Sequence, residues 1–167
     1  DRIPGPALRG GLVYNFWQDS TNLRGLWRRT TLASYRTATP QWELLLVFND
    51  TAPTETANWV YKGAQCLQPD YRRCLISLSD GGKDAVTVRE FDLTTRSFAA
   101  DGFALPEGKQ DAAWLDADTL LVGREWTPGL VTESYEADVD VVAPRPARAD
   151  HRREARSAGG TGHRTAR

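Results

Sequence analysis

The sequence predicts an all-β chain, a partial β-propeller of about three blades followed by a disordered Arg-rich tail. Three observations predict it. Short β-branched and aromatic runs alternate with Gly, Pro, Asp and Asn turns through residues 12–123. A faint repeat joins Asp70, which precedes Cys74-Leu75-Ile76 at offsets of four to six, to Asp116, which precedes Leu120-Leu121-Val122 at the same offsets. The separation of 46 residues is near the ~40–50 of a four-stranded propeller blade. Finally, residues 144–167 hold seven Arg and no Leu, Ile, Val, Phe, Tyr or Trp, so they cannot bury enough apolar surface to offset their ordering entropy. The expected organisation is an extended lead-in at 1–11, the propeller portion at 12–143 and the tail at 144–167.

In chain order, residues 1–11 contain Pro4, Pro6 and three Gly and predict no regular structure. Residues 12–18 and 26–32 are β-branched and aromatic, separated by a polar loop ending in Gly25, and predict a hairpin. Tyr14, Phe16, Trp17 and Trp27 should then lie close together. Such a cluster suits either a stacking platform for peptide or glycan or ordinary cross-strand packing, and core packing is favoured. Residues 42–48 fit a buried strand or one helical turn equally. After a loop at 49–58, residues 59–67 read as a strand closed by Pro69-Asp70. Residues 74–79 and 85–93 flank the Asp80-Gly81-Gly82-Lys83-Asp84 turn as a second hairpin. Val86 and Val88 share one parity and Phe91 and Leu93 the other, which requires a bulge or a sheet covered on both faces. Residues 98–100 predict a short outer strand, 101–110 a crossover through Gly102, Pro106 and Gly108, and 111–115 with 119–123 a last hairpin about Asp116-Ala117-Asp118.

Composition narrows the function classes. The 167 residues are 40% apolar with six Trp, enough for one ordinary core, and no apolar run approaches the ~20 residues of a helical membrane span. Outside the tail the chain carries 14 basic and 20 acidic groups, which argues against a nucleic-acid surface on the body. The chain has no Met and begins at Asp1, so Asp1 is not expected to be a translation start. Asn49-Asp50-Thr51 fits a glycosylation sequon, but nothing else supports a secretory context. The cytoplasm is favoured and the compartment otherwise open. Cys66 and Cys74 are too far apart for a Cys-x-x-Cys motif and are read as reduced, partly buried residues rather than a disulfide.

No catalytic, cofactor-binding or metal-ligating residue is expected. The Gly-x-Ser-x-Gly elbow of a serine hydrolase has one distant approach, Ala155-Arg156-Ser157-Ala158-Gly159, which lacks the first Gly and a preceding strand. His151 and His163, the only histidines, fall in the Arg-rich stretch and should be solvated rather than fixed as general bases. The body has no histidine for zinc and no Cys pair at finger spacing. Asp80, Asp84, Asp116 and Asp118 suit turn chemistry better than acid–base catalysis. Gly81-Gly82 precedes a strand, whereas a phosphate loop leads into a helix.

Residues 12–31, with Tyr14-Asn15-Phe16-Trp17-Gln18-Asp19 and Arg24-Gly25-Leu26-Trp27-Arg28, resemble the opening propeller hairpin of bacterial members of the prolyl oligopeptidase family. Residues 70–92 are similar to that family's next blade through Leu78-Ser79, Gly81-Gly82, Asp84 and Val86-Thr87-Val88, with Ala85 departing from a frequent aromatic residue. The resemblance runs over residues 1–134. It implies a seven-bladed propeller that admits short peptides to an α/β-hydrolase domain with a Ser-Asp-His triad, cleaving after proline or related residues without a cofactor. None of the family's catalytic positions falls in the matching region, so the chain reads as a propeller fragment without catalysis of its own. Its partners would be the hydrolase domain and, through it, short peptides, with no nucleic acid and no membrane. Because the likeness stops near residue 134, the tail is expected to be an out-of-frame translation of a GC-rich gene. The alternatives are a standalone β-rich module binding peptide or glycan through its Trp and Tyr, and behind it an Arg-tailed nucleic-acid binder.

Overall fold

The structure, a computed structural model, describes residues 5–48, 57–124 and 139–144. Among the described residues, twelve strands form three antiparallel sheets. The first contains β1 (Ala7–Arg9), β2 (Leu12–Trp17), β3 (Leu26–Thr31) and, after the one-turn helix α1 (Leu32–Tyr35), β4 (Glu43–Val47), in the order β1-β2-β3-β4. The second runs β5 (Trp59–Cys66), β6 (Arg73–Asp80), β7 (Val86–Asp92) and β8 (Ser97–Phe98), with β9 (Ala104–Gly108) also pairing β7. The third is β10 (Gln110–Asp116), β11 (Thr119–Arg124) and β12 (Val139–Pro144). Sequential antiparallel strands joined by tight turns are what the alternating apolar runs dictate.

The second sheet is the middle layer. Cys74, Ile76, Leu78, Phe91 and Leu93 share a core with Tyr14, Trp27, Leu45 and Phe48 of the first sheet and its edge. Leu75, Val86 and Val88 share a separate core with Leu120 and Val122 of the third sheet. The parity switch in β7 therefore reflects burial on both faces. No bulge interrupts its pairing with β6, which runs in register from Arg73↔Asp92 to Leu78↔Thr87.

Turn chemistry repeats between the sheets. Asp70 Oδ1 accepts from the Arg72 N–H at 3.0 Å, and Asp116 Oδ1 from the Asp118 N–H at 2.8 Å. The same two-residue reach recurs from Asp19 to Thr21 at 2.9 Å and from Asp92 to Thr94 at 2.7 Å. Each carboxylate thus stands in for a backbone acceptor in a turn between strands. The 46-residue repeat holds in three dimensions as well. Cys74 and Ile76 face the preceding sheet, as Leu120 and Val122 do. Leu75 faces the following sheet at 2% exposure, whereas Leu121, its equivalent, is 39% exposed.

Four expectations need correction. The stretch 1–11, read as lacking regular structure, contains β1, a three-residue edge strand paired with β2 from Ala7↔Tyr14 to Arg9↔Leu12. It is too short to show periodicity, and its Gly10-Gly11 turn supplies the positive φ angles that the tight return requires. Leu32 leaves β3 and opens α1, where Thr31 Oγ1 accepts from the Ser34 N–H at 3.1 Å. β9 continues the outer edge of the second sheet with Pro106 inside it, as an edge strand permits. Lastly, Cys66 and Cys74 form a disulfide with an S–S distance of 2.03 Å. They are direct partners across β5 and β6, a proximity created by strand register that no motif spacing encodes.

Candidate functional site

The chemistry of this chain lies along the seams between sheets. Three first strands, β1, β5 and β10, each form the leading edge of their sheet. Arg9 Nη2 of β1 donates to the Ala64 carbonyl of β5 at 2.8 Å. Trp114 Nε1 of β10 donates to the Gln65 carbonyl at 3.0 Å. Two consecutive carbonyls of β5 thus receive one bond from each neighbouring sheet, and the three leading edges stand side by side. Successive carbonyls of a strand point to opposite sides, so one of the two lies on the unpaired edge of β5 and the other, on the side of β6, offers its second lone pair.

The first seam is aromatic. Phe16 stacks on Tyr61 with ring centroids 4.7 Å apart, and Trp27 meets Tyr14 at 5.7 Å and Phe91 at 6.2 Å. Burial pushes the Tyr61 phenol up to about 12, against the pull of Arg9. Tyr14, Phe16 and Trp27 therefore pack together as expected of core residues. Trp17, grouped with them from the sequence, lies on the opposite face of β2. There Arg28 stands over the rings of Trp17 at 4.5 Å and Trp42 at 4.1 Å and donates to Asn15 Oδ1 at 2.8 Å. Burial lowers the Arg28 pKa, with Asp19 opposing the shift. The chain's own guanidinium thus occupies one face of each ring.

A polar clamp closes the same seam. Glu43 of β4 accepts from Arg29 at 2.6 and 3.1 Å and from Arg96, in the β7–β8 turn, at 2.7 Å. The Arg29 hydrogen bond holds the Glu43 carboxyl below its ordinary range, outweighing burial, with the charges of Arg29 and Arg96 adding to it. Because the folded pKa lies below the unfolded value near 4.5, the stabilisation is complete above that pH and is lost as pH falls through the folded value. Glu43→Gln should therefore cost about 1 kcal/mol at neutral pH, a partly exposed clamp being worth no more. Urea midpoints measured at neutral pH and well below 4.5 should show the gap to wild type closing in acid. An equal gap at both would contradict this assignment.

The remaining sequence candidates are structural where they are described. Asp80 Oδ1 accepts from the Asn58 N–H at 2.8 Å, Asp116 caps its own turn, and Asp84 is exposed in the bend before β7. Gly81 and Gly82 take positive φ angles of 67° and 84° and lead into β7, not into a helix. Among the described residues, no three His, Cys, Asp or Glu are placed to hold a metal ion, and no helix is long and apolar enough to cross a membrane. His151, Ser157, His163 and the Arg-rich tail lie outside the described residues. Sequence reasoning missed Glu90, which is 2% exposed. Its Oε2 accepts from the Phe103 N–H at 2.9 Å, and its Oε1 pairs with Arg73 Nη1 at 3.6 Å, so it fixes the crossing from β8 to β9. A charged residue within the β-branched run 86–93 was the only signal available.

Known proteins align with this arrangement. The family profile described as prolyl oligopeptidase, N-terminal beta-propeller domain, matches residues 1–143. An uncharacterized peptidase of Sinorhizobium fredii is 51% identical over 146 residues, covering 87% of this chain and 20% of that protein. An uncharacterized peptidase of Rickettsia prowazekii is 38% identical over 123 residues, covering 69% of this chain and 17% of that protein. The structure of a post-proline cleaving enzyme from Rickettsia typhi superimposes with a TM-score of 0.71 at 35% identity, over 81% of this chain and 21% of the other. The chain thus spans about a fifth of the length of the relatives it matches.

Proposed function

The chain belongs to the prolyl oligopeptidase family, within its N-terminal β-propeller domain, and from that membership we propose that it supplies the opening blades of a propeller restricting access to a serine peptidase. Its partner would be an α/β-hydrolase domain bearing the triad, and its role would be to admit short peptides and exclude folded or long chains. The chain itself performs no catalysis and needs no cofactor. One observation carries this reading: three sheets stacked in sequence order with their leading edges aligned, which is how blades surround a common axis. The exposed Leu121, standing where Leu75 of the second sheet meets its neighbour, supports a further blade on that face. Of the aromatic residues that a standalone peptide- or glycan-binding module would use, Tyr14, Phe16, Trp27 and Tyr61 are instead engaged in the first seam and Trp17 and Trp42 against Arg28.

The test uses two samples. The purified chain alone should not turn over a chromogenic proline-containing peptide. The Sinorhizobium relative lacking its matching segment should cleave long unfolded proteins as well as short peptides when expressed alone, and lose activity on the long ones when co-expressed with this chain. Turnover by the chain alone, or unchanged size selectivity on co-expression, would overturn the proposal.

A further inference from the structure

We propose that the Cys66–Cys74 bond is a redox-sensitive clasp that sets how firmly the second sheet holds both its neighbours. Among the described residues β5 is the leading edge of that sheet and pairs with β6 alone. Its register shifts between Tyr61 and Gly63, so the ladder is interrupted midway along the strand. The segment beyond the shift carries both cross-sheet bonds, from Arg9 to the Ala64 carbonyl at 2.8 Å and from Trp114 to the Gln65 carbonyl at 3.0 Å. Cys66 follows immediately and is bonded to Cys74, which is wholly buried in the first core. The disulfide therefore anchors to the core the short segment on which two sheets depend.

The two cysteines differ in burial. Cys74 is 0% exposed, whereas Cys66 is partly exposed. A thiolate of a small dithiol attacks the Cys66 sulfur, the S–S bond breaks, and Cys74 leaves as a thiolate that takes up a proton. The second thiol of the reagent then displaces Cys66, so the protein gains two S–H groups and the dithiol becomes its cyclic disulfide. The Tyr71 carbonyl, 3.9 Å from the Cys74 sulfur, offers the freed thiol an acceptor. With the covalent link gone, the end of β5 keeps only its ladder bonds, and the neighbours lose a fixed acceptor together. In a reducing compartment this places the pair among the transient, sensing disulfides rather than the permanent ones.

Amide exchange read by mass spectrometry on the full chain, oxidised and after dithiothreitol, tests the clasp. Reduction should speed exchange about tenfold or more at residues 64–66 and likewise at the Trp114 indole N–H read by NMR. The β2–β3 hairpin should keep its rates. The Cys66→Ala, Cys74→Ala double variant should exchange at the reduced rate with or without dithiol. If that variant does not fold, the wild-type comparison decides alone. Equal rates at residues 64–66 in the two states, uniform loosening of the whole chain, or two free thiols after equilibration with glutathione disulfide would each overturn the proposal.

Discussion

Trp27→Ala is expected to destabilise the chain by about 3–5 kcal/mol, a large share of the roughly 5–15 kcal/mol that holds an ordinary domain folded. The indole is 1% exposed and touches aromatic rings from both sheets of the first seam, Tyr14 on one side and Tyr61 and Phe91 on the other. Removing it leaves a cavity that neither sheet can fill without moving relative to the other. Chemical unfolding followed by circular dichroism measures the loss. Trp17→Ala, which deletes an indole of the same size from the opposite face of β2, should cost markedly less, because Arg28 keeps Trp42 as a stacking partner. Comparable losses for the two variants would show that the first seam is not where the stability resides.

Gly25→Ala should cost about 3 kcal/mol or more, combining a left-handed backbone with a steric overlap. Gly25 sits at φ 88°, and an added methyl would lie 2.7 Å from Phe16 Cε2 and 2.9 Å from Gln18 Cγ. Its carbonyl also accepts from the Phe48 N–H at 3.0 Å, so a shift of this turn disturbs the end of β4. Gly82 has nearly the same backbone, φ 84°, with nothing within 4 Å of an added methyl. Gly82→Ala should therefore cost only about 1 kcal/mol. The difference between the two midpoints reads the overlap with Phe16 and Gln18 together, Phe16 being the ring that stacks on Tyr61 across the seam. Equal effects would mean that backbone strain alone is at work.

The hairpins were legible because their signals are local. Residues 12–18 and 26–32 carry dense β-branched and aromatic content, and the strands found there end within a residue of those bounds. The hairpin about Asp116-Ala117-Asp118 was readable for the same reason, since Asp at a strand end announces its own turn. β1 and β9 escaped because each is an edge strand punctuated by the very residues, Gly and Pro, that normally mark loops. The pairing of Cys66 with Cys74 and the clamp of Arg29, Glu43 and Arg96 are products of register and stacking. They join residues 8 and 53 apart at most in the sequence, and neither separation signals contact until the sheets are assembled. The family likeness reached further than any local pattern because order and spacing along 1–134 integrate those weak signals.

Burial of both faces of the second sheet has a consequence for how the chain finds its alignment. In a sheet wetted on one side, sliding a strand by one position exchanges oil for water, and hydrophobicity alone forbids the error. In β6, the same slip would exchange Ile76 for Leu75 and one dry interior for another. Greasiness then carries little information about the correct offset, and the choice falls to features that do not average out. These are a bond between two particular sulfurs, a carboxylate at Glu90 that must find Arg73 and the Phe103 N–H, and aspartates that can close a turn only from one place. The middle layer is in effect addressed by its few polar and covalent labels, and its many apolar residues supply the adhesion once the address has been read.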